Sequence, residues 1–349
     1  MAETVQPSNG LACGQARANK HLGVVLVVYD SADVIINALE TLFAAAFADR
    51  VPLRVVVVDN ASPDDSVAQI SAWQSGLAPY SPPADMPFAA LPPVAKPLPS
   101  DVLQILKAEH NGGFAAGVNL GLKALLDDPK IDRFWVLNPD AVIPPGTVAA
   151  FAHHDPGPFA LMGGRIMYYD HPDSIQIDGG LIDWRTGVTH NANQLRPLDT
   201  PPPQLEKVDF ISGASMIASR AFLRSAGLMA EDYFLYYEEV DWALRRGDLP
   251  LSYCPGAVIY HQAGTSIGSP AIGRSATSFS LYFKHRARMM FLRRHAPRGL
   301  PGGWAYTLAK AMQLLLKGHG PEVRALLAGA WGARPPADVA ARIAISSTV

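Results

Sequence analysis

The chain has 349 residues, 49% of them hydrophobic, which is enough to bury a large core in one big domain or two ordinary ones and reads as a globular protein. Two cysteines far apart, Cys13 and Cys254, exclude a disulfide framework or a zinc cluster and suit a reducing compartment. The net charge of -2 hides an asymmetry: up to Phe283 there are 18 basic against 29 acidic residues, and beyond it 11 basic against 2 acidic.

The first twenty residues lack the apolar stretch of a signal peptide, and they read as a flexible tail (1–20). The first ordered element is "HLGVVLVVYD", a β-branched run suited to a strand buried on both faces. A helix follows in "SADVIINALETLFAA", with Val34, Ile35, Ala38, Leu39, Leu42 and Phe43 on one stripe and Ser31 as N-cap. "LRVVVVDN" gives a second apolar strand, and "ASPDDSVAQI" a second helix with Ser62 as cap and Pro63 at its first position. Alternating strands and helices predict a parallel α/β core.

Residues 79–99 hold eight prolines in 21 positions and read as an exposed, extended insertion. "VLQILKAEHNGGFAAGVNLGLKALL" then resumes with a strand, a glycine turn and a helix. "RFWVLNPDAVI" gives a fourth strand that stops at a polar tripeptide. In open α/β sheets ligands bind beyond the carboxyl ends of the strands, which is where these polar residues fall. After them, "GGRIMYYDHPDSIQIDGGLIDWRTGVTHNANQ" alternates like hairpins, so the second half reads as mixed rather than parallel sheet. No run reaches the roughly 18 apolar residues of a spanning helix, so the expectation is a soluble or peripheral protein.

The turn after the first strand, Val28-Tyr29-Asp30-Ser31, has no glycine, which argues against a dinucleotide site. It offers instead Tyr29 and Asp30 beside Asp59, Asn60 and Ser62, a set able to hold a base and a ribose; helix capping explains the serines but not Asp59. "HNGGFAAGVNLG", from His110 to Gly121, allows close backbone approach and points N–H groups toward an anion. In "NPDA", Asp140 at a strand end can reach a divalent cation bound to substrate phosphates.

These motifs, with "FISGASMIASRAFLRSAGLMAEDYFLYYEEVDWALRRG" and "PGAVIYHQAGTS", resemble in order those of glycosyltransferase family 2, the GT-A-fold enzymes, and especially its bacterial rhamnosyltransferase-like branch. The resemblance covers about 260 residues between His21 and Phe283. It implies an α/β, GT-A-type nucleotide-sugar-binding fold with a mainly parallel mixed sheet over 21–283, followed by a basic helical region, 284–349. It implies further that Val28, Tyr29, Asp30, Asp59 and Asn60 line the nucleotide, and that Asn111, Gly113, Phe114 and Asn119 border its sugar and phosphates. Asp140 takes the place of the last aspartate of the family's metal-binding motif, whose first position here is Asn138. His261 matches a downstream histidine that approaches the metal in some relatives, so a divalent cation, magnesium or manganese, is expected. Gly213, Ala214 and Ser215 lie beside donor sugar and acceptor in relatives.

The stretch "FLYYEEVDWALRR" crowds Glu238, Glu239 and Asp241 among aromatics. If it is helical, Asp241 meets Arg245 at i, i+4, and Tyr237 and Trp242 desolvate the acids and suit a sugar acceptor. In relatives the general base is the second acid of a Glu-Asp pair; by position it is Glu239, supported by Glu238, with a glutamate where the relatives have aspartate.

The C-terminal 66 residues carry net +9, which suggests an anionic partner, and the composition favours a membrane over a nucleic acid. "WAYTLAKAMQLLLKGHGPEVRALLAGAWG" reads as an amphipathic basic helix pair, with Trp304, Leu308, Met312, Leu315 and Leu316 at helical spacing; it caps the main domain, lies on a membrane, or both. The expected function is inverting transfer of a sugar, a rhamnose-like deoxyhexose by resemblance, from a nucleotide diphosphate to a saccharide acceptor, lipid-linked on the charge asymmetry and the family's habits. The setting is cell-envelope polysaccharide synthesis, in the cytoplasm or on the inner face of the membrane. The alternatives are a sugar-phosphate nucleotidyltransferase, whose glycine-rich basic loop "YDSAD" lacks, and a non-catalytic sugar-nucleotide binder.

Overall fold

The computed structural model describes residues 21–262 and 275–344; the expected tail, with Cys13, and the end of the last motif, residues 263–266, lie outside the described residues. The first half alternates as the apolar runs predict: β1 (His21–Val28), α1 (Ile35–Asp49), β2 (Leu53–Asp59), α2 (Ser66–Ser75), β3 (Leu103–Lys107), α3 (Phe114–Leu126) and β4 (Ile131–Leu137). In β1, Val24, Leu26 and Val28 join one core cluster, while Val25 and Val27 face the opposite one. That two-sided burial is why the strand has no polar alternation.

The second half contributes β5 (Ala141–Val142), α4 (Thr147–His153), β6 (Leu161–Tyr168), β7 (Ile175–Ile177), a separate hairpin of β8 (Gly180–Asp183) and β9 (Val188–Asn191), then β10 (Ser215–Ser219), α5 (Arg220–Ala226), α6 (Glu238–Leu244) and β11 (Ser252–His261). Among the described residues the main sheet runs β3-β2-β1-β4-β10-β6-β11-β5, with β7 paired to β6. The β3 to β4 half is parallel, and β10 enters antiparallel between β4 and β6. Beyond it, β11 lies parallel to β6 and antiparallel to β5.

Helix α3 lies close on β1 because it presents glycines there. A Cβ on Gly117 would stand 2.6 Å from Val27 Cγ1, and one on Gly121 2.5 Å from Val25 Cγ1.

Four helices end the chain: α7 (Ser278–His295), α8 (Leu300–Leu316), α9 (Gly320–Trp331) and α10 (Ala337–Ala344). The division after Phe283, drawn on charge, falls inside α7, whose Ala287, Met289, Phe291 and Leu292 are buried in the second core cluster. The basic region is therefore rooted in the catalytic-domain core rather than appended to it. Helix α9 packs on α7 through Gly329, where a Cβ would meet the Tyr282 carbonyl oxygen at 2.1 Å. On α8, Leu308, Met312, Leu315 and Leu316 are 56–81% exposed, and no helix among the described residues is long and apolar enough to cross a membrane.

Three local expectations change. Ser31 does not cap α1, which starts at Ile35; its Oγ bonds back to Tyr29 and its N–H donates to Ser66 Oγ. Nor does Ser62 cap α2, because Asp59 Oδ1 takes the Ser62 N–H at 2.9 Å and Asp64 bridges Ser66 to the Ala32 N–H. Residues 79–99 form no helix or strand, as expected, but they are strapped down rather than free. Glu40 accepts from Val94 N (2.6 Å), Lys96 Nζ (2.8 Å) and Trp73 Nε1 (2.7 Å), while Tyr80, Val94 and Leu98 pack on the core.

Candidate active site

Parallel pairing of β1 with β2 sets Val28 opposite Asp59, so the two polar strand ends emerge side by side. Asp30 follows with φ 53°, turning the chain away from the strand, and Asn60 N–H donates to the Val28 carbonyl at 2.9 Å. Asn60 Nδ2 then reaches Asn111 Oδ1 at 2.8 Å and the Gly113 carbonyl at 3.0 Å, which fastens the glycine turn to the second strand end. Gly113 has φ 87°, and a Cβ there would lie 2.2 Å from the Phe234 carbonyl oxygen, the oxygen that accepts from Phe114 N–H. Only glycine fits that backbone crossing. The crossing joins the glycine turn to the acid-bearing segment.

On the far side of β4, antiparallel pairing of β11 with β5 places His261 opposite Ala141, one residue beyond Asp140. His261 Nδ1 donates to Gln176 Oε1 at 2.8 Å, which turns Nε2 toward Asn138 Nδ2 at 3.1 Å and Asp140 Oδ1 at 3.0 Å. A ring-nitrogen lone pair held beside a carboxylate oxygen is an arrangement that a cation or a proton between them relieves. The donor set, one carboxylate oxygen and one imidazole nitrogen beside an amide, fits a divalent cation that completes its shell with water and phosphate oxygens. Among the described residues no group of three His, Cys, Asp or Glu comes together, so protein alone does not enclose a metal here.

Between this pair and α6 lies a cavity of about 220 Å³. His261 and Gln176 line one part of it, Ser212 and Ala214 another, and Tyr236, Tyr237, Glu239 and Lys284 the rest. Tyr236 and Tyr237 both have φ 68°, and this left-handed pair swings the backbone into α6 so that successive glutamates diverge. Glu238 turns inward and is buried, with its Oε2 lacking a hydrogen-bond partner, whereas Glu239 faces the cavity. Burial pushes both carboxyls above the ordinary glutamate range, and Glu238 rises further because the charge of Glu239 adds to it. Lys284 opposes the rise at Glu239. A base raised in this way, yet held by a cation, is matched to taking a proton from a hydroxyl.

The remaining acid has another task. Asp241 pairs with Arg245 at 2.9 Å, as the spacing expects, and also with Arg294 at 3.2 Å and His295 at 2.7 Å. Burial alone raises its carboxyl, but His295, Arg294 and Arg245 outweigh that and hold it below the usual aspartate range. It anchors α6 to α7.

Three expected contacts lie elsewhere. Asn119 is buried and spends its amide on the Met229 backbone and Glu231 Oε1, which ties α3 to the chain before α6 rather than bordering phosphates. Ser215 is buried and accepts from Trp135 Nε1 at 2.9 Å, and Ser212 takes its place on the cavity wall. Trp242 is fully buried, donates to the Gly227 carbonyl at 2.9 Å and packs on Phe222, so it is core, not an acceptor platform. Tyr237 is buried too, yet its ring reaches the cavity while its hydroxyl donates to the Gly187 carbonyl at 2.6 Å. Gly213 sits 3.7 Å, measured from a built Cβ, from Glu239 Cβ. Gln176, Thr189, Ser212 and Lys284 were not expected at the site; they come from hairpin and helix segments with no polar motif to mark them.

No protein-family model matches this chain. It is similar to the low-salt glycan biosynthesis hexosyltransferase Agl10 of Haloferax volcanii, 22% identical over 193 residues that make up 54% of this chain and 60% of that protein. The chain thus spans less than two thirds of that relative's length. Among solved structures it is similar to the mannosyltransferase PcManGT from Pyrobaculum calidifontis in complex with GDP-Man and Mn2+, with a TM-score of 0.50 and 15% identity over 93% of this chain and 78% of that one. At that identity the likeness is one of fold. The curled, mostly parallel mixed sheet with C-terminal helices is a GT-A-type glycosyltransferase fold.

Proposed function

We propose that the protein is an inverting glycosyltransferase that moves a sugar from a nucleotide diphosphate donor to a saccharide acceptor. The observation that carries this reading is the single cavity running from His261, beside Asp140, to Glu239. It sets a cation-competent pair and a raised carboxylate on opposite sides of one space. Tyr29, Asp30, Asp59 and Asn60 would hold the nucleoside, and Asn111, Gly113 and Phe114 the donor sugar and phosphates. A divalent cation held by Asp140 and His261 would neutralise charge on the departing diphosphate. Glu239 would take the proton of the acceptor hydroxyl as its oxygen bonds to the anomeric carbon and the bond to the diphosphate breaks, giving inversion. Gly213, Ala214 and Tyr237 would flank that acceptor, and buried Glu238 would support Glu239.

The donor sugar we favour is a rhamnose-like deoxyhexose, which rests on the sequence resemblance. The similarity to a hexosyltransferase and to a mannosyltransferase structure supports nucleotide-sugar use in general. For the acceptor we favour a lipid-linked saccharide of cell-envelope polysaccharide synthesis, at the inner face of the membrane. The outward apolar row Leu308, Met312, Leu315 and Leu316 on α8, with Lys310 and Lys317 on the same helix, supports this. A thermal-shift panel of nucleotide sugars with magnesium and manganese tests the reading. One donor should stabilise the protein in a metal-dependent way, and loss of that metal dependence is expected in Asp140→Asn; no response to any donor would overturn the reading.

A further inference from the structure

A second cavity, of about 530 Å³, lies against the first between the β8–β9 hairpin, α7 and α8. The two share Thr189, Tyr237 and Lys284 as a common wall. Lys284, His285, Arg288, Lys310, Lys317, His190 and His319 all line the second space, and the one acid there, Glu322, stands 4.0 Å from His319.

These cations are not equivalent. Arg288 is consumed by the fold: it donates to the Thr186 and Gly303 carbonyls and to Thr307, and lies over the Tyr306 ring. Lys284, Lys310 and Lys317 form no ion pair among the described residues. Gathering ammonium groups round a half-buried space without carboxylates is unfavourable unless an anion belongs there. The ammonium of Lys284 is destabilised by burial and by Arg288 and Lys310, and Glu239 across the wall only partly compensates. The size falls in the range of small-ligand sites, roughly 300–1,000 Å³.

We propose that this cavity binds a phosphate or diphosphate group of the acceptor, with Lys284, Lys310 and Lys317 as its ligands. The inference rests on the glycosyl-transfer reading and narrows it to an acceptor that carries a phosphate ester. Lys284, on the shared wall, would fix the distance between that phosphate and the hydroxyl presented to Glu239. Because α8 bears the lysines on one side and the exposed leucines on another, a prenyl chain attached to the diphosphate could leave along the helix toward a lipid surface.

The test is calorimetric titration of inorganic pyrophosphate into the full chain in chelator, so that the donor-side cation is absent. Pyrophosphate should bind the wild type, and its Kd should weaken at least tenfold in Lys284→Gln and in the Lys310→Gln, Lys317→Gln double variant. It should change less than twofold in the Asp59→Asn, Asp140→Asn variant. No binding to the wild type, or loss in the donor-side variant alone, would overturn the proposal. Lys317 is exposed and Lys310 half-exposed on α8, so the double variant should melt as the wild type does. The nucleotide-sugar panel on the same proteins separates the two readings. If donors bind while the lysine variants leave pyrophosphate binding unchanged, only this inference fails; if no donor binds, the enzymatic reading fails while the pyrophosphate result still decides the anion site. A C15 prenyl diphosphate identifies the source: at least tenfold tighter binding than pyrophosphate assigns a lipid diphosphate, and equal binding a soluble phosphate ester, with the C15 alcohol as control.

Discussion

At the residue scale, the three acids of "FLYYEEVDWALRR" separate by what surrounds them. Glu239→Gln should lower kcat by about 10²–10⁴-fold, roughly 3–5 kcal/mol in the barrier, with donor binding retained, because a positioned base acts only in the transition state. Since the Glu239 carboxyl is raised by burial, the rate should fall as pH drops through a range above the usual glutamate value of about 4.3. Lys284 favours the charged base, so Lys284→Met should move that acid limb to higher pH in a kcat/KM profile. Asp241→Asn should act on stability instead, at a cost of about 3 kcal/mol, by leaving Arg245, Arg294 and His295 without their shared carboxylate. The Asp241 carboxyl is depressed, so its contribution is present above the unfolded value of about 3.9 and lost as pH falls through the lower folded value. The stability gap between variant and wild type should therefore close in acid, as chemical denaturation at several pH values would show.

At the element scale, two crossings hold the site to the sheet. Gly113→Ala forces a methyl group to 2.2 Å from a backbone oxygen in a left-handed conformation, so neither partner can yield cheaply. The variant should lose at least ~1–3 kcal/mol of stability and bind nucleotide more weakly, measured by melting and by titration. The proline-rich strap hangs on one buried carboxylate. Glu40→Gln should release Val94 and Lys96, and limited proteolysis should then cut within residues 79–99 many times faster than in the wild type. A wild-type cleavage rate in the variant would mean that packing of Tyr80 and Leu98 suffices.

At the scale of the whole molecule, α7 runs from the core of the α/β domain into the basic helices, so the anionic-partner surface and the reacting cavity share one rigid element. The exposed row on α8 gives a direct measurement. The protein should float with vesicles containing anionic lipid, less so at high salt, and Leu315→Glu with Leu316→Glu should weaken that at least tenfold without changing the melting temperature. Wild-type protein that stays at the bottom of the gradient would remove the membrane from the proposed function.

The local order of the first half, with its unbroken β-branched runs and its polar strand ends, is written in the sequence because strands buried on two faces and a glycine turn leave patterns of their own. The Asp241–Arg245 pair could be read from helical spacing for the same reason. What the sequence could not order was everything set by long-range register. The β5–β11 pairing brings His261 to Asp140, and the backbone crossing at Gly113 and Phe234 brings the glycine turn to the acids. Asn119, Ser215 and Trp242 sit in plausible motifs, yet they are spent on partners from 15 to 112 residues away. Lys284 carries no motif at all, and only the packing of α7 against the hairpin places it on the wall between two cavities. Composition and periodicity fix which face of a segment is buried; which side chains then share one cavity depends on contacts that no single segment contains.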